Sequence, residues 1–249
     1  MTGQKVKLHS IQALYKSRKQ QSTKPFNARG KQVVRCEYCQ MAEKNCICQL
    51  RHMGKSTAAF LIIMHDAEVL KPSNTARLIA DVVPDTHAFI WSRTEPDDKM
   101  LTLINDARYM PMVVFPSQYA SPKQVVFDEV LPETELSNKV PLFILLDGSW
   151  REAKKMFRKS PYLAELPMLS FSEEVKTHYV REAQIENQFA TAQVAAKALA
   201  VKGDHVSAEH LALWFDVFNY QYQKSVCQPN RGRVHALEEY SAFCQKEYK

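Results

Sequence analysis

Leu142-Phe143-Ile144-Leu145-Leu146-Asp147-Gly148-Ser149-Trp150 is the stretch on which the fold turns. Five successive apolar residues are what a strand buried on both faces requires. The run ends in Asp-Gly, and Ser149 with Glu152 three positions on fits a helix capping box. The segment therefore predicts a strand over 142–146, a sharp turn, and a helix over 149–159. The same alternation continues on either side. Strands are expected over 58–64, 88–91, 112–115 and 166–171. Helices are expected over 74–83, with Ser73 or Asn74 as cap, and over 96–107, with Pro96 in the first turn. Two more are expected over 186–201, stopped by Gly203, and over 210–224. Trp214, Phe215, Phe218 and Tyr222 fall on helical spacing in the last and are assigned to the core. Strands alternating with helices predict an α/β fold, a mostly parallel sheet with helices on both faces.

In such sheets ligands bind beyond the carboxyl ends of the strands. Three of those ends carry polar chemistry: His65-Asp66, Ser92-Arg93-Thr94-Glu95 and Asp147-Gly148-Ser149-Trp150. Gly148 permits the tight turn. Asp147 would lie near the positive end of the following helix, which favours its carboxylate. Trp150 offers a stacking face for a nucleobase or an adenine. A plain turn aspartate and a core tryptophan account for the same letters equally well.

Charge is distributed unevenly over the 249 residues. The first 35 contain nine Lys or Arg and no Asp or Glu, while the remainder has 24 basic against 27 acidic residues. A one-sided basic arm suits a polyanion, because Lys and Arg displace counterions condensed on phosphates; a solvated tail is the alternative. An amphipathic helix is expected within it over 6–19. No apolar run approaches the ~20 residues that span a bilayer, and the N-terminus lacks the apolar centre of a secretory signal.

Four of the six cysteines form the cluster Cys36-x2-Cys39-x6-Cys46-x-Cys48. Two close thiol pairs can complete one tetrahedral structural Zn²⁺ site, and so short a loop would draw its folding energy from the metal. An iron–sulfur cluster or simply buried thiols are the alternatives. Clustered thiols fit a reduced cytoplasm rather than a secreted disulfide framework. Cys227 and Cys244 lie far from the cluster and are not expected as ligands. Three regions follow: a basic arm over 1–35, a zinc module over 36–52 and an α/β domain over 53–249.

Taken together these residues resemble the DTW-domain family, whose D-x-T-W motif reads Asp147-Gly148-Ser149-Trp150 here, with Ser in place of Thr. The cysteine cluster matches as well. So do Lys71-Pro72-Ser73-Asn74-Thr75, Trp91-Ser92-Arg93-Thr94-Glu95-Pro96, Val113-Val114-Phe115-Pro116, and Arg181-Glu182-Ala183-Gln184 with Thr191-Ala192. The likeness covers about residues 25–225 and is nearest to bacterial members acting on tRNA.

The resemblance implies a SPOUT-like fold with a trefoil knot, and tRNA as partner. It implies an S-adenosylmethionine-dependent enzyme that places a 3-amino-3-carboxypropyl group on N3 of a uridine, at position 47 of the variable loop. Asp147 and Trp150 are then the catalytic candidates. Ser73, Asn74, Thr75, Phe115, Pro116, Gly148, Ser149, Arg181 and Thr191 are the candidates for the co-substrate. Arg93, Lys24, Arg29, Lys31 and Arg35 are candidates for RNA, and Arg93 or Arg181 could also pair with the co-substrate carboxylate. A cytoplasmic monomer is expected. A SPOUT-type methyltransferase and a non-catalytic zinc-containing RNA-binding module are the competing functions.

Overall fold

In the computed structural model the described residues are 8–23, 30, 32–128, 131, 138–171, 189–226 and 229–248. Their six strands are β1 (Ala59–Met64), β2 (Thr86–Ile90), β3 (Tyr109–Val114), β4 (Val126–Asp128), β5 (Val140–Asp147) and β6 (Met168–Ser170). They form one sheet in the order β2-β1-β5-β3-β6-β4, and every pairing is parallel. The apolar run Leu142–Leu146 lies in an inner strand of this sheet. β5 lies between β1 and β3, with Ile144 in register with both Leu61 and Val113.

Eight α-helices accompany the strands among the described residues: α1 (Ser10–Gln20), α2 (Asp66–Val69), α3 (Ala76–Val82), α4 (Asp98–Ile104), α5 (Trp150–Arg158), α6 (Thr191–Val201), α7 (His205–Gln223) and α8 (Ala236–Glu247). Alternation along β1 separates two cores, as successive side chains of a strand point to opposite faces. Phe60, Ile62 and Met64 pack with Leu78, Leu199, Trp214, Phe218 and Tyr240 from α3, α6, α7 and α8. Ala59, Leu61 and Ile63 pack with Met100, Ile104, Ala153 and Met156 from α4 and α5. The sheet is thus covered on both faces; Trp214, Phe215 and Phe218 are buried as expected, while Tyr222 is half-buried against the same core.

Several boundaries differ from the sequence reading. β3 begins at Tyr109 rather than 112, and contains Pro111. Its ladder with β6 starts only at Val113, so the missing N–H of Pro111 interrupts no pairing on that side. β4 is three residues long, pairs only with β6 and exposes Val126, so it carries no apolar run. α4 starts two residues after Pro96 because the Asp97 carboxylate caps it, accepting from the N–H groups of Lys99 and Met100. α7 starts at His205 rather than 210, capped by Asp204. α8 and the short α2 were not anticipated. Of the expected helix over 186–201, the described part is Thr191–Val201. Residues 172–188 lie outside the described residues, and the knot stays an implication of the resemblance.

The N-terminal region is joined to this body. α1 carries the amphipathic pattern expected within 6–19, burying Ile11. The Ser10 hydroxyl donates to the Thr86 carbonyl at 2.6 Å, and Arg18 pairs bidentately with Asp66. His9 Nε2 and Arg51 NH1 lie 3.4 and 3.3 Å from Asp81 Oδ1. Met41 and Ile47 of the cysteine segment are fully buried in the same core as α3 and α7.

Candidate functional site at the carboxyl end of the sheet

β5 delivers Asp147 to the end of the sheet at the midpoint of the strand order. Although it terminates a strand, its residue is only 4% exposed. Asn74 Nδ2 donates to Asp147 Oδ2 at 2.5 Å, and Thr191 Oγ1 donates to Oδ1 at 2.6 Å. Two segments, 73 residues before and 44 residues after Asp147, are thereby fixed on one carboxylate. Asn74 is itself held, since its Oδ1 accepts from Ala76 N at 3.0 Å. Thr75 Oγ1 accepts from Ala192 N at 3.4 Å, which ties the start of α3 to the start of α6 a second time. The aspartate thus faces helix N-termini, where backbone N–H groups and aligned peptide dipoles favour negative charge.

The turn that follows is as the sequence indicates. Ser149 Oγ accepts from Glu152 N at 3.4 Å, and Glu152 Oε2 accepts from Ser149 N at 2.7 Å, completing the capping box. A Cβ on Gly148 would lie 3.0 Å from Glu152 Cβ and 3.4 Å from His65 Cβ. Close approach, rather than an unusual φ, is what demands glycine here. His65, at the end of β1, lies alongside: its N–H donates to the Asp147 carbonyl at 2.8 Å. Its Nδ1 is 3.3 Å from Glu152 Oε1, and its ring stacks on Trp91. Burial pushes the Glu152 carboxyl up, but the Ser149 hydrogen bonds with His65 and Lys71 outweigh it, and the group titrates below its usual range.

Trp150 is half-buried. It stacks on Phe115 at 5.4 Å between ring centroids and meets Tyr119 edge-on at 5.7 Å. Phe115 in turn stacks on Phe157. Half-burial against these rings is compatible with either reading of this tryptophan, core or ligand-facing. Tyr119 completes the aromatic wall and had no signal in the sequence, being a single tyrosine in a short 3-10 turn, Ser117–Tyr119. Pro116 precedes that turn, and the neighbouring Ser117 N–H donates to the buried Ser170 hydroxyl at 3.0 Å.

Of the candidates for the co-substrate, the fold gathers Asn74, Thr75, Gly148, Ser149 and Thr191 around Asp147. Phe115 and Pro116 lie at the end of β3, two strand positions from β1, and Ser73 is half-buried next to Asn74. Arg93 is exposed beyond the end of β2. Arg35 donates to the Gln40 carbonyl at 3.0 Å and so supports the cysteine turn. Arg181, Lys24, Arg29 and Lys31 lie outside the described residues.

The thiols of Cys36, Cys39, Cys46 and Cys48 lie within 4.8 Å of one another. Cys36 and Cys48 are 3.6 Å apart, and Cys39 and Cys46 are 3.8 Å apart. A Zn–S bond of about 2.3 Å gives a tetrahedral edge of about 3.8 Å, so these residues fit a tetrathiolate ion. Gln40, with φ of 61°, turns the chain after the first pair. A hydrogen bond from Cys48 draws Cys39 down to about 5 despite burial, whereas burial pushes Cys46 up to about 11, and Cys48 is raised by its bond to Cys39. A dication is what would let all four ionise. Cys244 is buried elsewhere, in the core with α8. Arg77 connects the cluster to the site: it donates to the Cys39 carbonyl and to the Lys71 carbonyl, each at 2.9 Å.

No helix among the described residues is long and apolar enough to cross a membrane.

Comparison with known proteins identifies the relatives of this arrangement. Among curated proteins, tRNA-uridine aminocarboxypropyltransferase 2 of Macaca fascicularis is 24% identical over 175 residues, covering 67% of this chain and 55% of that protein. The protein of the same name from Mus musculus is 26% identical over 176 residues, with the same coverage of 67% and 55%. The chain thus spans about half the length of these curated relatives. No solved structure matches it. The model of the DTW domain matches residues 33–223, from the cysteine segment through to the end of α7. Most of the chain, including every described element of the Asp147 site, lies within that match, and the protein belongs to the DTW domain family.

Proposed function

We propose that this protein modifies tRNA, transferring the 3-amino-3-carboxypropyl group of S-adenosylmethionine to N3 of a uridine, at position 47 of the variable loop. The observation that carries the reading is the Asp147 carboxylate, buried in the family's own motif and fixed by Asn74 and Thr191. The names of the two relatives supply the reaction class.

In this reading the uridine N3–H gives up its proton, and N3 attacks the methionyl Cγ. The S–Cγ bond breaks with its electron pair going to sulfur, and methylthioadenosine leaves. Sulfonium is a good leaving group, so the protein's task is chiefly alignment of Cγ, rather than the methyl group, with N3. Asp147 orients the N3–H and takes its proton. Trp150, backed by Phe115 and Tyr119, shapes the pocket for an aromatic ring. The starts of α3 and α6 contribute Ser73, Asn74, Thr75 and Thr191 to the co-substrate side with Phe115, Pro116, Gly148 and Ser149. Arg181 pairs with its carboxylate and Arg93 with RNA phosphate. Cys36, Cys39, Cys46 and Cys48 would hold a structural Zn²⁺ that would supply folding energy, and reduced thiols suit a cytoplasmic enzyme.

The deciding experiment incubates the purified protein with S-adenosylmethionine and unmodified tRNA, then identifies the nucleoside and the small product by mass. An aminocarboxypropyl uridine with equimolar methylthioadenosine is the expected pair. A methylated nucleoside with S-adenosylhomocysteine would replace this reading by methyl transfer, and binding without a product would leave an RNA-binding module.

A further inference from the structure

From the sequence, RNA contacts are expected from the basic arm, the zinc module and Arg93. The fold presents a different concentration of charge beside the site. α5 starts at Trp150 and has Arg151, Lys154, Lys155 and Arg158, with Lys159 as its C-cap. Its single acid, Glu152, is occupied by Ser149 N and His65. All five cations are exposed or half-buried. Their spacing makes them neighbours of one another: Arg151 with Lys155, Lys154 with Arg158 and Lys155 with Lys159 are i,i+4 pairs of like charge, which destabilise a helix. Arg151 also stands in the first turn, where the helix dipole disfavours a cation.

Among the described residues, no carboxylate pairs with these cations. Arg18, Arg51, Arg108 and Arg233 all meet carboxylates. Among the described residues, none of the α5 cations and not Arg93 is in an ion pair. Two of them lie over aromatic rings instead. Lys154 Nζ is 5.6 Å from the Trp150 ring centroid, and Lys155 Nζ is 5.8 Å from that of Trp91. Trp91 is anchored by its Nε1–H to the Ser160 hydroxyl at 2.9 Å, just past the end of α5, and Arg93 follows two residues after it.

We infer that the basic face of α5 is a docking surface for an RNA phosphodiester backbone, holding the strand whose base enters the Asp147 site. Cations held beside aromatic rings offer partners for both the phosphates and the bases of RNA. Phosphates relieve the like-charge repulsion that the helix otherwise bears. This surface rests on the tRNA reading above for its substrate but not for its geometry.

The test measures binding of the full chain to unmodified tRNA over a range of salt concentrations. In the triple variant Arg151→Gln, Lys155→Gln, Arg158→Gln, affinity should fall roughly tenfold or more. The slope of log affinity against log salt should shrink by about 2–3, since each of the three lost phosphate contacts contributes about 0.7–0.9. Binding of S-adenosylmethionine alone should stay unchanged. A control triple, Lys55→Gln, Lys123→Gln, Lys224→Gln, removes the same charge elsewhere and should stay within about twofold of the parent. The charge-preserving Arg151→Lys, Lys155→Arg, Arg158→Lys protein should bind as the parent does, which separates charge from helix integrity. Equal losses in the α5 and control triples, or no loss in either, overturn the proposal. Product formed by the α5 triple at the parent's KM for tRNA overturns the surface and leaves the enzymatic reading intact. Binding that depends on α5 without any product sinks the enzymatic reading and leaves the surface intact.

Discussion

Replacing Asp147 by Ala leaves the Asn74 amide and the Thr191 hydroxyl without their acceptor. The expected loss of stability is about 1–3 kcal/mol, the cost of stranding buried donors. Loss of proton transfer and alignment should slow product formation by roughly 10²–10⁴-fold. Methylthioadenosine release and a thermal melt measured on one preparation separate the two effects, and a variant that keeps the parent rate excludes Asp147 from the chemistry. Gly148→Ala should also destabilise, by about 1–3 kcal/mol, because its methyl group must displace Glu152 or His65 in a packed turn; a melt at the parent temperature would refute that. The place of Asp147 was legible, at a strand end followed by Gly, where a plain turn aspartate reads the same. Its partners were not: Asn74 and Thr191 look like helix-start residues, and only the crossing of distant segments makes them ligands of one carboxylate.

α5 and its capping box were readable because every determinant lies within four residues, from Ser149 to Glu152. Ser149→Ala should cost about 1 kcal/mol, whereas Ser149→Thr, which keeps the hydroxyl, should melt within a few tenths of a kcal/mol of the parent. α8 escaped notice because its buried residues, Ala236, Tyr240, Phe243 and Cys244, form a thin stripe in a polar segment. Its attachment gives an acid sensitivity. His210 of α7 is 0% exposed and bonds to the Tyr248 hydroxyl at 2.8 Å and to that of Tyr240 at 3.3 Å. Burial first, then the charge of His52, lowers its pKa to about 4, against a weaker pull from Asp81. The unfolded chain takes up the proton more readily, so stability conferred by neutral His210 is complete above about pH 6.5 and is lost as pH falls toward 4. The loss should be on the order of 3 kcal/mol. Unfolding followed between pH 7 and 4 should show it, and a His210→Gln protein should show a flatter profile; parallel profiles would refute the assignment.

For the molecule as a whole, the three regions expected from composition are physically less separate than their sequences imply. The basic arm includes a helix buried at Ile11, and the cysteine segment sends Met41 and Ile47 into the main core. Thiol spacing points to a metal-binding cluster but not to the core against which its segment packs. The purified protein should contain one Zn²⁺ per chain. Cys39→Ser or a strong chelator should then lower the stability of the whole unit by more than about 4 kcal/mol, a fall in Tm on the order of 10 °C for a chain of this size. Release of the N-terminal region alone, with the remaining transition unmoved, would show an independent module. The class of the sheet was legible from uninterrupted apolar runs, yet its order was not, because strand neighbours are chosen by crossovers that leave no mark on local periodicity.

That order has a consequence for synthesis. β1 is apolar along its whole length, and its inner neighbour is β5, with Ala59 pairing with Leu142. The ribosome must therefore make the intervening chain before β1 can be sealed on that side. At about 5–20 residues per second this takes roughly 4–16 s. For that interval a six-residue strand of Ala, Phe, Leu, Ile and Met stands with an open edge, which makes the nascent chain, rather than the finished protein, the form most exposed to aggregation and most in need of a chaperone.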